Sequence, residues 1–372
     1  MSRTPEARMN KRERIISVLD HKEPDMVPIT ELAIDPVHLE TLSGTKLVDG
    51  SVQRIPDRKQ ESNVIDTTVR VYEKLGFELV TCELSAPDGW NCRVNPNNTI
   101  TDEWGRILSY DPTAKVWVQT DSIFSTSEDF DRFPFPDPNA PGRTFAIERT
   151  KSRVGDEMAV AAMIRDPFAT AWEMFRITDF VKWLYEKPDF IRRVLDEITD
   201  FNVTVAKRII DAGVDLIIGD GDYCEKKGPL VPVRFFKETI LPNLQRQVQV
   251  IHKGGLKFIK HSDGNLNPIL ADLANVVDGL HSLDPTASMQ IGKVKSLYGD
   301  KLVLMGNVSV DNLCTSTTGE IIDETKECLR QAAPGGGYIL SSSNSWYTHV
   351  KLENCLAMVD AGRKYGAYPI CA

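Results

Sequence analysis

The chain has 372 residues and a formal net charge of −9, with 41% apolar and 26% charged residues, the proportions of a globular protein able to bury a sizeable core. An acidic balance argues against nucleic acid as the main partner, because phosphate-backbone binders concentrate Lys and Arg on one face. The longest apolar runs, such as 216–219 and 302–306, are too short to span a bilayer. The basic start MSRTPEARMNKRER leads into no apolar segment of signal-peptide type. The seven cysteines (82, 92, 224, 314, 328, 355, 371) form no CxxC pair. The expectation is a cytoplasmic protein with free thiols, without a disulfide framework or a zinc finger.

In chain order, Asn10 is placed to cap a helix over KRERIISVLDHK, with Ile15, Ile16 and Leu19 at helical spacing. Eight short apolar runs follow: VPIT (27–30), ELVTCEL (78–84), AVAAMI (159–164), LIIGDG (216–221), LKFIKHSD (256–263), GLHSLD (279–284), LVLMGN (302–307) and YILSSSN (338–344). Between them lie stretches long enough for crossover helices. Residues 189–212 form an amphipathic pattern that stops at Gly213, as a C′ glycine requires, and Thr318 is placed to cap EIIDETKECLRQA. Two stretches break the alternation between the second and third strands: 99–119 reads as a β-hairpin turning at Asp111-Pro112, and 131–143 is a proline-rich loop. PGGG at 334–337 precedes a strand instead of opening a helix, so it reads as a turn and not a phosphate cradle.

Strands buried on both faces and joined by helices imply a parallel sheet, and eight such units close into a (β/α)8 barrel. A doubly wound open sheet would carry a glycine fingerprint after its first strand, and VPITELAID has none. The expectation is one domain over 1–372, with 99–143 inserted over one end of the barrel.

Chemistry in such barrels sits at the C-terminal strand ends, where the βα loops converge. Those ends read Glu31, Glu83, Arg165 with Asp166, Asp220 with Asp222, His261 with Asp263, His281 with Asp284, Asn307, and Asn344. Side chains alternate along a strand, so His261 and Asp263 share a face, as do Asp220 and Asp222. His261 can serve as a metal ligand or a proton donor. The plainer alternative is a histidine that caps the core, followed by an Asp-Gly-Asn turn. Trp346 and Tyr347, with Trp90 and Phe168, either wall a pocket for a flat substrate or pack the core. Cys224 reads first as a buried free thiol.

Several longer motifs carry a resemblance: NKRERIISVLDHKEPDMVPI, TDEWGRI, GDGDYCEKKGPLVPVRFFKETILPNLQRQV, FIKHSDGNLNPILADL, DGLHSLDPTASMQIGKVKSLYGDKLVLMGNVSV and APGGGYILSSSNSWYTHVKLENCLAMVDAGRKYGAYP. Together they resemble the uroporphyrinogen decarboxylase superfamily over nearly the whole chain. That resemblance implies a (β/α)8 barrel and one of two activities, cofactor-free decarboxylation or methyl transfer involving a cobalt corrinoid on a partner protein. The decarboxylases carry an Arg-Gln-Ala-Gly-Arg pattern after the first strand for the tetrapyrrole carboxylates, whereas ITELAIDPVHLE has no arginine and brings Glu31 and Asp35. The coenzyme M methyltransferases bind zinc through a His-x-Cys pair and a later Cys. Here His261 is kept, but Asp263 and Asn344 stand at the sulfur positions.

What remains resembles the O-demethylase methyltransferases, which move a methyl group from a methoxylated aromatic to cob(I)alamin. The resemblance implies His261, Asp220 and Asp222 as catalytic residues. The strand ends and flanking aromatics give Glu31, Glu83, Asp263, Asn344, Trp346 and Tyr347 as the substrate-binding candidates, and His261 with Asp263 as ligands if a metal such as Zn²⁺ is bound. The resemblance also implies a corrinoid protein and a small-molecule methyl donor as partners; a homodimer is one assembly that the sequence leaves open. The alternatives are a decarboxylase of a smaller acid, a methylcobalamin:thiol methyltransferase, and a non-catalytic ligand-binding barrel.

Overall fold

A computed structural model describes residues 9–47, 54 and 57–371. Its strands in chain order are β1 (Leu79–Glu83), β2 (Arg93–Val94), β3 (Ile100–Thr101), β4 (Arg106–Asp111), β5 (Val116–Ser122), β6 (Ala159–Arg165), β7 (Leu216–Asp220), β8 (Cys224–Glu225), β9 (Gly228–Pro229), β10 (Lys257–Ser262), β11 (Gly279–Ser282), β12 (Val303–Val308) and β13 (Tyr338–Ser342). Seven of them form one parallel sheet in the order β1-β6-β7-β10-β11-β12-β13.

The expected first strand, 27–30, closes this sheet into a barrel with little more than its backbone. Thr30 N–H donates to the Leu340 carbonyl at 3.0 Å and Leu340 N–H to the Pro28 carbonyl at 2.9 Å, while the Ile29 carbonyl accepts from Glu78 N–H at 3.0 Å. The segment therefore bridges β13 and β1. Proline removes one donor from it, which keeps its ladder short.

Strand parity decides what fills the interior. Leu79, Ala161, Ile218, Ile259, Met305 and Ile339 point inward, and Ile15, Val18 and Leu19 of the helix Lys11–Leu19 plug the lower end. Asn10 caps that helix in a reciprocal box with Glu13, satisfying two N–H groups that have no partner within the helix. The helix Pro188–Asp211 ends as expected before Gly213, whose φ is +79°. The helix Thr318–Ala332 is capped one residue earlier than the sequence suggested. Thr317, not Thr318, accepts from Glu320 N–H and completes the box with the Glu320 side chain.

The insertion between β1 and β6 is an antiparallel sheet of four strands, β2-β3-β4-β5. β4 and β5 pair from Arg106 opposite Ser122 to Asp111 opposite Val116. Their turn is fixed by Asp111, whose carboxylate accepts the Thr113 N–H at 2.8 Å, a local side-chain-to-backbone bond that favours Asp at such positions. The sheet is tied to the helix after β6: Gln119 donates to the Glu173 carbonyl and Ser122 Oγ to the Met174 carbonyl. The proline-rich loop behind it is pinned by Arg208, which donates to the Pro138 and Ala140 carbonyls. No helix among the described residues is long and apolar enough to cross a membrane.

Candidate active site

Parallel register sets four polar side chains side by side at the upper rim. Arg165 on β6 is opposite Asp220 on β7, Asp220 is opposite His261 on β10, and His261 is opposite His281 on β11. Arg165 Nη1 donates to Asp220 Oδ2 at 2.7 Å. Burial alone would raise the Asp220 carboxyl, but Arg165 and then His261 outweigh it and hold it down at about 2. Asp220 is therefore an anion at any working pH.

His261 Nδ1 lies 2.8 Å from His281 Nδ1, so one ring donates and the other accepts. Burial, together with the neighbouring His261, pushes the His281 imidazole well below its ordinary value, which makes it the neutral partner. When His261 carries a proton on Nδ1 it donates to His281, and its Nε2 faces Asp220 at 3.7 Å and Asp222 at 3.9 Å.

Asp263 lies across from it. Ser282 Oγ donates to Asp263 Oδ1 at 2.6 Å, Asn344 Nδ2 donates to Oδ2, and Asp263 N–H donates to Asp222 Oδ1 at 2.7 Å. Burial raises the Asp263 carboxyl even though His261 opposes the shift. One ligand atom from each of Asp222, His261 and Asp263 lies within 4.8 Å of the others. One imidazole and two carboxylates suit a divalent cation such as Zn²⁺ with positions left open, and a hydrogen bond on the far nitrogen is the usual way to aim the near one at a metal. The donor set thus fits a metal, although not a thiolate one. The nearest thiol in sequence, Cys224, is buried and pushed up to about 12.

Below the rim, Lys260 is fully buried on the outward parity of β10. Its Nζ donates to the Gly221 carbonyl at 2.6 Å, lies 3.3 Å from Asp166, and sits 4.1 Å from the Tyr223 ring centroid. It pins the turn that presents Asp220 and Asp222. A Cβ on Gly221, whose φ is +144°, would meet Ala169 Cβ at 2.4 Å, so that turn requires glycine.

Two cavities adjoin the rim. An apolar chamber of about 270 Å³ lies beside β1, bounded by Leu32, Leu39, Val69, Tyr72, Val80 and Trp117 among others. A polar chamber of about 310 Å³ runs from Arg54 and Glu83 past Trp104, Arg106 and Trp117 to Arg165, Glu173 and Asp220. The chambers share Arg54, Glu83, Trp117 and Met163. His261 is 5% exposed, so its imidazole stands behind Asp220, one carboxylate from the cavity.

The expected site residues therefore part company. His261, Asp220, Asp222, Asp263 and Asn344 converge. Glu83 lines both chambers. Glu31 does not reach either chamber: it is fully buried and accepts from Ser342 N–H, Ser342 Oγ and Leu32 N–H. Trp346 is core, fully buried with its ring 5.9 Å from that of Phe77, and Phe168 is likewise buried. Tyr347 borders neither chamber, and its hydroxyl contacts Cys314 Sγ at 3.1 Å. The stretch after the first strand brings Glu31 and Asp35 and no arginine, yet Arg54, Arg106 and Arg165 line the polar chamber. Arg165 is among the strand ends, whereas Arg54, Arg106, Trp104, Trp117 and Glu173, which also line the chamber, lie outside them and strand-end reading missed them.

Comparisons with known proteins bear on the family and the fold. The model of the uroporphyrinogen decarboxylase (URO-D) family matches residues 102–365. The methylcobamide:CoM methyltransferase MtaA of Methanosarcina barkeri is 26% identical over 225 residues, 60% of this chain and 63% of that protein. The uroporphyrinogen decarboxylase of Alkalilimnicola ehrlichii is 25% identical over 248 residues, 63% of this chain and 66% of that one. The chain thus spans just under two thirds of the length of either relative. Among solved structures, a methyltransferase from Methanosarcina mazei superposes with a TM-score of 0.73 at 20% identity, covering 96% of this chain and 99% of its own. A B12-independent methionine synthase from Shewanella sp. W3-18-1 gives a TM-score of 0.53 at 11% identity, covering 91% and 97%. These likenesses carry the fold, and the family match, extending over well more than half the sequence, shows that the chain belongs to the uroporphyrinogen decarboxylase family.

Proposed function

We propose that the protein is a methyltransferase that moves the methyl group of an aromatic methyl ether to cob(I)alamin on a partner corrinoid protein. The observation that carries this reading is the cluster of His261 with Asp220, Asp222 and Asp263, without a sulfur ligand, whose Asp220 lines a polar chamber that shares a wall with an apolar one. Cavities of about 150 Å³ hold benzene, so this chamber has room for a substituted ring. The likeness to a methylcobamide methyltransferase supports corrinoid chemistry. The oxygen ligands support an acceptor other than a thiol, which would need stabilisation as thiolate.

A phenol-like leaving group has a pKa of roughly 10, so the ether is a poor electrophile until its oxygen is protonated or polarised. General acid assistance contributes on the order of 100- to 10,000-fold. His261 supplies the proton from Nε2 to the ether oxygen as the carbon–oxygen bond breaks and the methyl leaves for cobalt. Asp220, kept ionised by Arg165, stabilises the imidazolium, and the neutral His281 holds the ring through Nδ1. A divalent cation held by Asp222, His261 and Asp263 would instead supply Lewis-acid polarisation of that oxygen. Nε2 serves one role at a time, and metal analysis of the purified protein distinguishes the two.

The test is direct: protein, a panel of methoxyarenes and a reduced corrinoid protein should yield the demethylated phenol. No turnover across the panel refutes the reading. A second reading, decarboxylation of a small acid, is favoured by the three arginines of the polar chamber, and CO2 release without any corrinoid protein would identify it.

A further inference from the structure

Arg54 stands where the cavities meet. It lines the apolar chamber, the polar chamber and a small pocket of about 50 Å³ beside Trp104. The other two guanidiniums of the polar chamber have acceptors: Arg106 pairs with Asp102 at 2.6 Å and Glu173 at 2.5 Å, and Arg165 pairs with Asp220 and Glu173. Arg54 differs, because its Nε is buried with no hydrogen-bond partner among the described residues. Its charged neighbours are Arg106, Asp102 and Glu83. Asp102 is already engaged by Arg106 and by the N–H groups of Trp104 and Arg106. Glu83 contributes opposing charge from the shared wall, yet the Nε–H is still not accepted. A buried charged donor without an acceptor is a cost that a bound anion removes, and guanidinium is shaped to take a carboxylate.

We propose that Arg54 binds a carboxylate of the substrate, so that the methyl donor is an aromatic methyl ether bearing a carboxylate, its ring against Trp104 and Trp117. The identity of the donor as an ether rests on the reading above; the carboxylate contact does not. Titration calorimetry with the three methoxybenzoate isomers, 4-methoxybenzamide and methoxybenzene tests it on the wild type, Arg54→Gln and Arg54→Lys. At least one methoxybenzoate should bind roughly ten- to hundredfold more tightly than the amide or methoxybenzene. Arg54→Gln should abolish that gap while leaving methoxybenzene unchanged, and Arg54→Lys should restore part of it. Equal affinity for acid and amide, a gap that survives Arg54→Gln, or no binding of any probe overturns the proposal. Should Arg54→Gln fail to fold, the wild-type selectivity and Arg54→Lys decide. Arg54-dependent binding without demethylation would keep the carboxylate site and overturn methyl transfer. Equal demethylation of acid and methoxybenzene would do the reverse.

Discussion

Glu31 offers a stability test of where the chain puts its carboxylates. Burial pushes its carboxyl up, the hydrogen bonds from Ser342 and Leu32 pull it partly back, and the result is about 8 against an ordinary 4.5. Between these values the unfolded chain has lost the proton and the folded one keeps it, so the native state binds more protons and stability falls as pH rises. The window is 3.5 units wide, and ~1.4 kcal/mol per unit caps the loss at about 5 kcal/mol. From pH 5 to 8 the share lost is about 3 to 4 kcal/mol. Glu31→Gln removes the titration. Its amide also turns N–H groups toward donors that now face carboxylate oxygens, a pH-independent penalty of ~1–3 kcal/mol. Urea unfolding at pH 5 and 8 separates the two effects: the variant should be the weaker protein at pH 5 and gain on the wild type by pH 8. A stability difference that does not change with pH would refute the reasoning. A large change in substrate KM, with the pH dependence absent, would return Glu31 to the substrate site.

Other outcomes follow from the same geometry. His261→Ala should lower kcat roughly 100- to 10,000-fold with KM little changed; steady-state kinetics showing the loss in KM alone would remove its catalytic role. Asn344→Ala and Ser282→Ala, which strip the two donors from Asp263, should weaken Zn²⁺ roughly 10- to 100-fold in competition with a chromophoric chelator, and unchanged affinity would argue against Asp263 as a ligand. Gly221→Ala forces a Cβ to 2.4 Å from Ala169 at a φ of +144° and should destabilise by at least ~2 kcal/mol, read from the urea midpoint; a wild-type midpoint would mean that the turn relaxes.

The barrel was legible because its evidence is local. Strands such as LIIGD and FIKHS are apolar on both faces, and helix-length stretches between them leave a parallel sheet as the arrangement that buries them all. The pairing of Asp220 with His261 was legible for a related reason: side-chain parity is fixed by the strand itself, and parallel neighbours end at the same rim. Glu31 and Trp346 carried the same kind of signal and do not line the chambers. Each follows a strand end, but whether the chain then turns into the barrel wall or the mouth depends on Ser342 and Phe77, partners distant in sequence.

The hairpin read over 99–119 from its Asp111-Pro112 turn forms as β4 and β5 over 106–122, whereas the destination of Trp104, Arg106 and Trp117 was not legible. Alternating residues fix which side of a strand a group occupies and say nothing of what that side meets. Gln119 and Ser122 hold the inserted sheet against the helix after β6, and that docking brings Arg106, Trp104 and Trp117 to the polar chamber, where Arg106 joins Arg165 of the strand ends. The sequence by itself thus determined the strands, their parity and the imidazole among carboxylates. The tertiary structure decided which of those groups face a cavity and which charges join them, because loop docking depends on contacts between distant segments that no local period encodes.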